Sequence, residues 1–222
     1  MRKINRYDSF IKESLKLDDN NSRSGRVLTQ AQKEYVEEPQ LQEQSGPMPA
    51  MVFTDVVGSS DMWSRDAATM MKQLESHHKL VDHLAEKNSG WIVKTIGDAF
   101  MVYFEPSDQS LYNAIKFSKE LILNEKAYNL RVGVCSGFMD EKTYRLQKVD
   151  LRDFFGNAVN TASRMESKVA DKNGGTVAFC STKNFANQMS KIQTLGKFLK
   201  VDLSNIDLRG AKIEKAYEMR VK

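Results

Sequence analysis

Ala50-Met51-Val52-Phe53-Thr54-Asp55-Val56-Val57-Gly58-Ser59-Ser60-Asp61 is an apolar run that ends in a turn. Ala50 to Val57 predicts a buried strand, and Gly58 to Asp61 supplies turn and N-cap residues for a helix. Ala67, Met70, Leu74, Val81, Leu84 and Ala85 then keep a period of about 3.6 residues. That spacing predicts one helix from about Asp61 to Lys87, with its methionines serving as core.

Downstream, Trp91 to Lys94 and Ala99 to Phe104 read as two strands reversed through Ile96-Gly97-Asp98, where glycine permits the tight turn. A helix from about Asp108 to Asn124, a strand from Leu130 to Ser136, a helix from Gly156 to Val169 and a strand from Thr176 to Cys180 follow. Strands alternating with helices, with a hairpin inside the series, predict an α+β sandwich: one sheet with helices packed on one face, close to a ferredoxin-like core. Asp140 to Asp150 is less diagnostic and is expected as a dimer arm or a loop.

Upstream, Pro39, Pro47 and Pro49 and the turn Ser45-Gly46-Pro47 precede the apolar run, so a domain is expected over residues 49–222 and a polar, partly helical extension over 1–48. Within that extension Phe10, Ile11, Leu15 and Leu17 predict a short helix between Tyr7 and Leu17. The chain has 222 residues and a net charge of +4. Residues 1–50 carry eight basic and eight acidic side chains, so the whole excess lies in the remainder. There it is interleaved with acids, as in Asp140-Glu141-Lys142, which reads as a mixed solvated surface and argues against a nucleic-acid groove. No run of about 20 apolar residues and no secretory apolar segment is present, so no membrane segment and a cytoplasmic location are expected. Cys135 and Cys180 are too few for a zinc site or disulfide framework and are expected as buried free thiols. His77, His78 and His83 do not converge on one metal and are expected on the solvated rim.

Asp55 ends the first strand just before a helix start, beside backbone N–H groups of Val57, Gly58 and Ser59 that favour an anion. Asp98 stands at the hairpin tip. Two carboxylates on rigid loops suit a pair of Mg²⁺ ions and in-line displacement at phosphorus. Taken singly, Asp98 also reads as a turn residue and Asp55 as a cap. Asn160 and Arg164 stand four apart on one predicted helix and share a face.

The wording around these residues resembles the class III nucleotidyl cyclases. The similarity rests on Phe53-Thr54-Asp55-Val56-Val57-Gly58-Ser59-Ser60, on Lys94-Thr95-Ile96-Gly97-Asp98-Ala99-Phe100-Met101 and on Arg131-Val132-Gly133-Val134 through Gly137. Asp153-Phe154-Phe155-Gly156-Asn157-Ala158-Val159-Asn160-Thr161-Ala162-Ser163-Arg164-Met165 looks like the most specific signature of that family, and Leu208-Arg209-Gly210 with Tyr217-Glu218-Met219 resembles its closing strand. The resemblance covers about residues 51–221 and implies a βαββαβ cyclase sandwich. It also implies Asp55 and Asp98 for two Mg²⁺ or Mn²⁺ ions, Lys94 and Asp153 for the base, and Asn160 and Arg164 for the reacting phosphate and ribose. Lys212 stands near the place of a triphosphate lysine, although the aligned position holds Ala211. A lysine donor and an aspartate acceptor match adenine better than guanine, so the implied activity is conversion of ATP to 3′,5′-cyclic AMP and pyrophosphate. The same resemblance implies a homodimer in which each copy supplies part of each site. Two other readings stay open: a cyclase using GTP, CTP or UTP, and a cyclase-like module that binds a nucleotide without turnover. A diguanylate cyclase is disfavoured, because Gly174-Gly175 are followed by Thr176 and Val177 and not by acids.

Overall fold

Alternation along β1 (Ala50–Val56) sends Ala50, Val52 and Val56 to one face of a sheet and Met51 and Phe53 to the other. The computed structural model describes residues 46–146, 149–181, 186–207, 213 and 215–222. The predicted helix at Tyr7–Leu17 and Lys212 lie outside the described residues.

After β1 come α1 (Ser59–Arg65), α2 (Ala67–Lys87), β2 (Gly90–Ile96), β3 (Ala99–Phe104), α3 (Ser110–Asn124) and β4 (Leu130–Ser136). The hairpin β5 (Asp140–Leu146) and β6 (Val149–Phe155) leads to α4 (Asn157–Arg164), which continues as a π turn over Met165–Val169. Strand β7 (Thr176–Ser181), α5 (Ala186–Gln193), β8 (Leu199–Val201) and β9 (Ala216–Arg220) complete the series. The main sheet has the order β2-β3-β1-β4-β7-β9-β8, and β5 with β6 forms a separate pair. The first four strands are antiparallel neighbours in the order 2-3-1-4, which is the expected ferredoxin-like core; β4 and β7 run parallel.

The α+β sandwich is as expected, but the helices cover both faces of its sheet. On one, α2 and α3 bury Val81, Leu84, Ile115 and Leu121 against Val52, Val132 and Phe179. On the other, α4 and the π turn bury Ala158, Ala162 and Met165 against Met51, Met101 and Cys135. The reason is compositional: β1, β4 and β7 are apolar on both sides, and a strand of that kind needs cover on both. Gly133 of β4 makes the second layer possible, since a Cβ there would stand 2.1 Å from the Glu166 nitrogen.

Three further expectations change. The single helix expected from Asp61 to Lys87 breaks at Asp66, whose φ of −154° ends α1 and whose carboxylate accepts from the Thr69 N–H at 3.0 Å to cap α2. Asp140–Leu146 and Val149–Phe155 pair as antiparallel strands and not as a loop, so Asp153 sits in a strand. His77 is buried, not on the rim: its Nδ1 lies 2.6 Å from Glu125 Oε2 and its ring edges onto Phe100 and Tyr128. Cys135 and Cys180 are buried free thiols on paired positions of β4 and β7. Among the described residues no helix is long and apolar enough to cross a membrane.

Candidate active site

Thr54 pairs with Phe100 across β1 and β3, and its Oγ1 accepts from the Phe100 N–H at 3.2 Å. One residue further along β1 stands Asp55, and two residues before Phe100, in the turn that leads into β3, stands Asp98; both emerge at the same end of adjacent strands, which lie about 4.8 Å apart. Gly97 takes a φ of +67° and closes the turn that carries Asp98. Asp98 Oδ2 is buried and has no hydrogen-bond partner among the described residues. A buried carboxylate oxygen without a donor is costly unless a cation meets it. Two neighbouring carboxylates and one orphaned oxygen are a donor set that fits hard divalent cations, which take few protein ligands and complete their shells with phosphate and water.

Sequence reasoning missed the cation beside Asp55. Asp55 pairs with Leu130's neighbour Arg131 across β1 and β4, and an Arg131 Nη2 donates to its Oδ2. The Arg131 Nε lies 3.1 Å from Glu166 Oε1 on the π turn, an ion pair without hydrogen-bond alignment. Burial, opposed by Arg131 and reinforced by Asp55, pushes the Glu166 carboxyl up to about 7. The legible signal was Arg131 itself: a lone cation inside the apolar run Leu130-Arg131-Val132-Gly133-Val134 requires a buried partner.

Lys94 and Asp153, 59 residues apart, meet with Nζ 2.6 Å from Oδ2, and the other carboxylate oxygen accepts from the Phe154 N–H at 2.9 Å. A β-bulge makes the meeting possible. Trp91 pairs with Tyr103 and Ile92 with Val102, but Lys94 pairs with Met101, so Val93 is the extra residue. Strict alternation would put Lys94 on the face opposite Trp91; the bulge returns it to the Trp91, Tyr103 and Met101 side, where β6 lies.

Asn160 and Arg164 stand on α4 away from its buried side of Ala158, Thr161, Ala162 and Met165. Glu166 points to Arg131, and two residues of helix rotate a side chain by about 200°, so Arg164 points to the opposite side. Near Asp55 the expected row of free N–H groups starts one residue late, because the Val57 N–H donates to Asn129 O at 2.9 Å in continuation of the strand pairing. Gly58, with φ +73°, and Ser59 follow it at the start of α1. A cavity of about 470 Å³, lined by Met62, Tyr128 and Lys222 among others, shares only Val57 with the expected site.

Residues 41–220 match the family described as the Adenylate and Guanylate cyclase catalytic domain, and the chain belongs to that family. Its curated relatives include an adenylate cyclase of Schizosaccharomyces pombe, 30% identical over 58% of this chain, and a receptor-type guanylate cyclase of Caenorhabditis elegans, 28% identical over 68%. The chain spans only 9% and 16% of those two proteins. The fold is similar to the guanylate cyclase domain of a Catenaria anguillulae protein in complex with GTP, with a TM-score of 0.64, 22% identity, and 79% of this chain and 98% of that one covered. It is likewise similar to the adenylyl cyclase CyaB of P. aeruginosa, with a TM-score of 0.62, 18% identity, and 78% and 94% covered.

Proposed function

We propose that the chain is an adenylyl cyclase domain that converts ATP to 3′,5′-cyclic AMP and pyrophosphate, at sites completed by a second copy of itself. The observation that carries the choice of base is the Lys94–Asp153 pair at 2.6 Å. An ammonium donor beside a carboxylate acceptor complements adenine, which accepts at N1 and donates from its amine. Guanine presents the reverse order, which would set the ammonium against its N1–H and the carboxylate against its O6. The 30% identity to the S. pombe adenylate cyclase supports the same reading.

Asp55 and Asp98 would hold two Mg²⁺ or Mn²⁺ ions, which when bound supply neutralising charge at the attacking and leaving oxygens. The N–H groups of Gly58 and Ser59, which follow β1 at the start of α1, would receive phosphate oxygens, and Lys212 is a further candidate for the terminal phosphates. Asn160 would hold the ribose so that its 3′-oxygen lies in line with the bond from the α-phosphorus to the leaving pyrophosphate. As that bond breaks and the 3′-hydroxyl gives up its proton, for which Asp55 is the candidate acceptor, Arg164 would donate to the oxygens on which charge accumulates. The outward direction of Asn160 and Arg164, away from their own Asp55, supports a two-fold dimer with the aspartates from one copy and Lys94, Asp153, Asn160 and Arg164 from the other.

The test is chromatography of the products from ATP, GTP, CTP and UTP with Mg²⁺ or Mn²⁺. Equal amounts of 3′,5′-cyclic AMP and pyrophosphate from ATP, in preference to the other three, are expected. Preferential cyclisation of another base would overturn the adenine assignment, and no cyclic product from any would overturn the enzyme.

A further inference from the structure

We propose that base selectivity depends on a clamp outside the base-reading pair: Arg152 lying on Trp91, and Phe154 stacked on Tyr103, fix the place of Asp153 against Lys94. The proposal rests on the assignment of Lys94 and Asp153 as the residues that meet the base.

Among the described residues the β5–β6 hairpin pairs with no strand of the main sheet. A two-stranded ribbon alone is marginally stable, so its position is set by side chains. Along β6, Arg152 and Phe154 alternate with Asp153 and therefore hold its two flanks. On one flank, the Arg152 guanidinium lies 4.5 Å from the centre of the Trp91 ring, and its Nη2 donates to Glu141 Oε2 at 2.9 Å. On the other, the Phe154 ring stacks on Tyr103 with centroids 4.0 Å apart and an angle of 16°, and lies 5.6 Å from Trp91. Trp91 is itself held by Tyr103 at 5.5 Å and by a bond from its Nε1 to Glu105 at 3.4 Å.

Both anchor rings belong to the strands that position Lys94. Trp91 stands three residues before Lys94 on β2, on the same side because of the bulge at Val93, and Tyr103 pairs with Trp91. The clamp therefore ties the acceptor's strand to the donor's strand within one short span. Loss of either contact leaves the hydrogen-bonding chemistry of Lys94 and Asp153 intact but loosens the distance between them. A displacement of that kind harms the matching base most and the mismatched base least. Trp91, Tyr103, Arg152 and Phe154 act as positioning residues and need touch no substrate.

The experiment compares kcat/KM for ATP and GTP in the wild-type chain, Arg152→Ala, Trp91→Leu and the ring-preserving Trp91→Phe. Where cyclic GMP falls below detection, the ratio of inhibition constants for 3′-deoxy-ATP and 3′-deoxy-GTP replaces it. The ATP preference is expected to fall about tenfold in Arg152→Ala and Trp91→Leu, and to stay within about twofold in Trp91→Phe. A clamp that merely stabilises the fold, or a cation that merely attracts triphosphates, lowers both nucleotides together; an unchanged ratio in Arg152→Ala therefore overturns the proposal. Arg152 is half in solvent, so this variant carries the test even if Trp91→Leu does not fold. Failure of the adenine reading looks different: the wild-type chain would prefer another base, and the clamp would still stand or fall on whether the ratio moves.

Discussion

Replacing Gly133 by alanine adds one methyl group at the closest approach of the sheet to its second helical layer. The new Cβ would stand 2.1 Å from the Glu166 nitrogen, 2.3 Å from the Ala162 oxygen and 2.7 Å from the Glu166 Cα, all of them backbone atoms. Ordinary contact needs about 3.5 Å, so α4 and the π turn must retreat from β4 by about 1.4 Å. No side-chain rotation relieves the clash, which places the cost near the upper end for overpacking, about 3 kcal/mol. For a domain of this size each kcal/mol lowers the Tm by roughly 2–4 °C, so a fall of about 6–12 °C is expected. The same retreat carries Asn160 and Arg164 with it, and a displacement of about 1 Å at a reacting centre costs about a hundredfold in rate. Thermal melting followed by near-ultraviolet circular dichroism, with cyclic nucleotide production assayed well below the Tm, reads both effects. A Tm within about 2 °C of the wild-type value and unimpaired turnover would refute the packing account of how α4 is held.

Asp98→Ala and Asp55→Ala are expected to abolish turnover at saturating Mg²⁺ with the Tm lowered by only a few degrees, since neither change opens a core cavity; retained activity in either removes the metal assignment. Lys94→Glu with Asp153→Cys is expected to lower the ATP-to-GTP ratio of kcat/KM, because a glutamate accepts from the guanine N1–H and amine; an unchanged ratio in a folded double variant shows that these residues do not read the base. The Glu166 carboxyl rises from 4.5 to about 7, so the folded chain binds a proton more readily than the unfolded one between those values. Stability from this group is full below pH 4.5 and is lost as the pH climbs towards 7, by at most roughly 3 kcal/mol. Glu166→Gln should therefore flatten the fall in Tm between pH 5 and 7.5, and a slope identical to the wild-type one would contradict the buried setting of this carboxyl.

The core strands and the hairpin were legible because local chemistry and tertiary packing agree there: Gly97 supplies the positive φ that the turn needs, and β1 and β4 carry predominantly apolar runs. Helix periodicity placed α2 but ran through Asp66, where one side chain capping Thr69 outweighs the continuing apolar stripe. Apolar strands also left undecided how many faces would be covered; Gly133, small enough to admit α4, carries that information without any period to reveal it. The site divides in the same way. Asp55, Asp98, Lys94, Asp153, Asn160 and Arg164 stand in recognisable local wording, whereas the Arg131 ion pairs join residues 76 and 35 positions apart. The bulge at Val93 is a cross-strand event, so the facing of Lys94 towards Asp153 became visible only with the register of β2 on β3.

Co-folding Asp55→Ala with Arg164→Ala tests most directly whether ATP is cyclised at a site built from two copies. Each variant alone should be inactive. In a mixed dimer one site collects both substitutions and the other collects neither. Random pairing makes half of the dimers mixed, each with one intact site of two, so the mixture should regain about a quarter of the wild-type cyclic AMP production. A mixture that stays inactive, although mixed dimers are shown to form by affinity tags of two kinds, would contradict the shared site and require all six residues to converge within one chain.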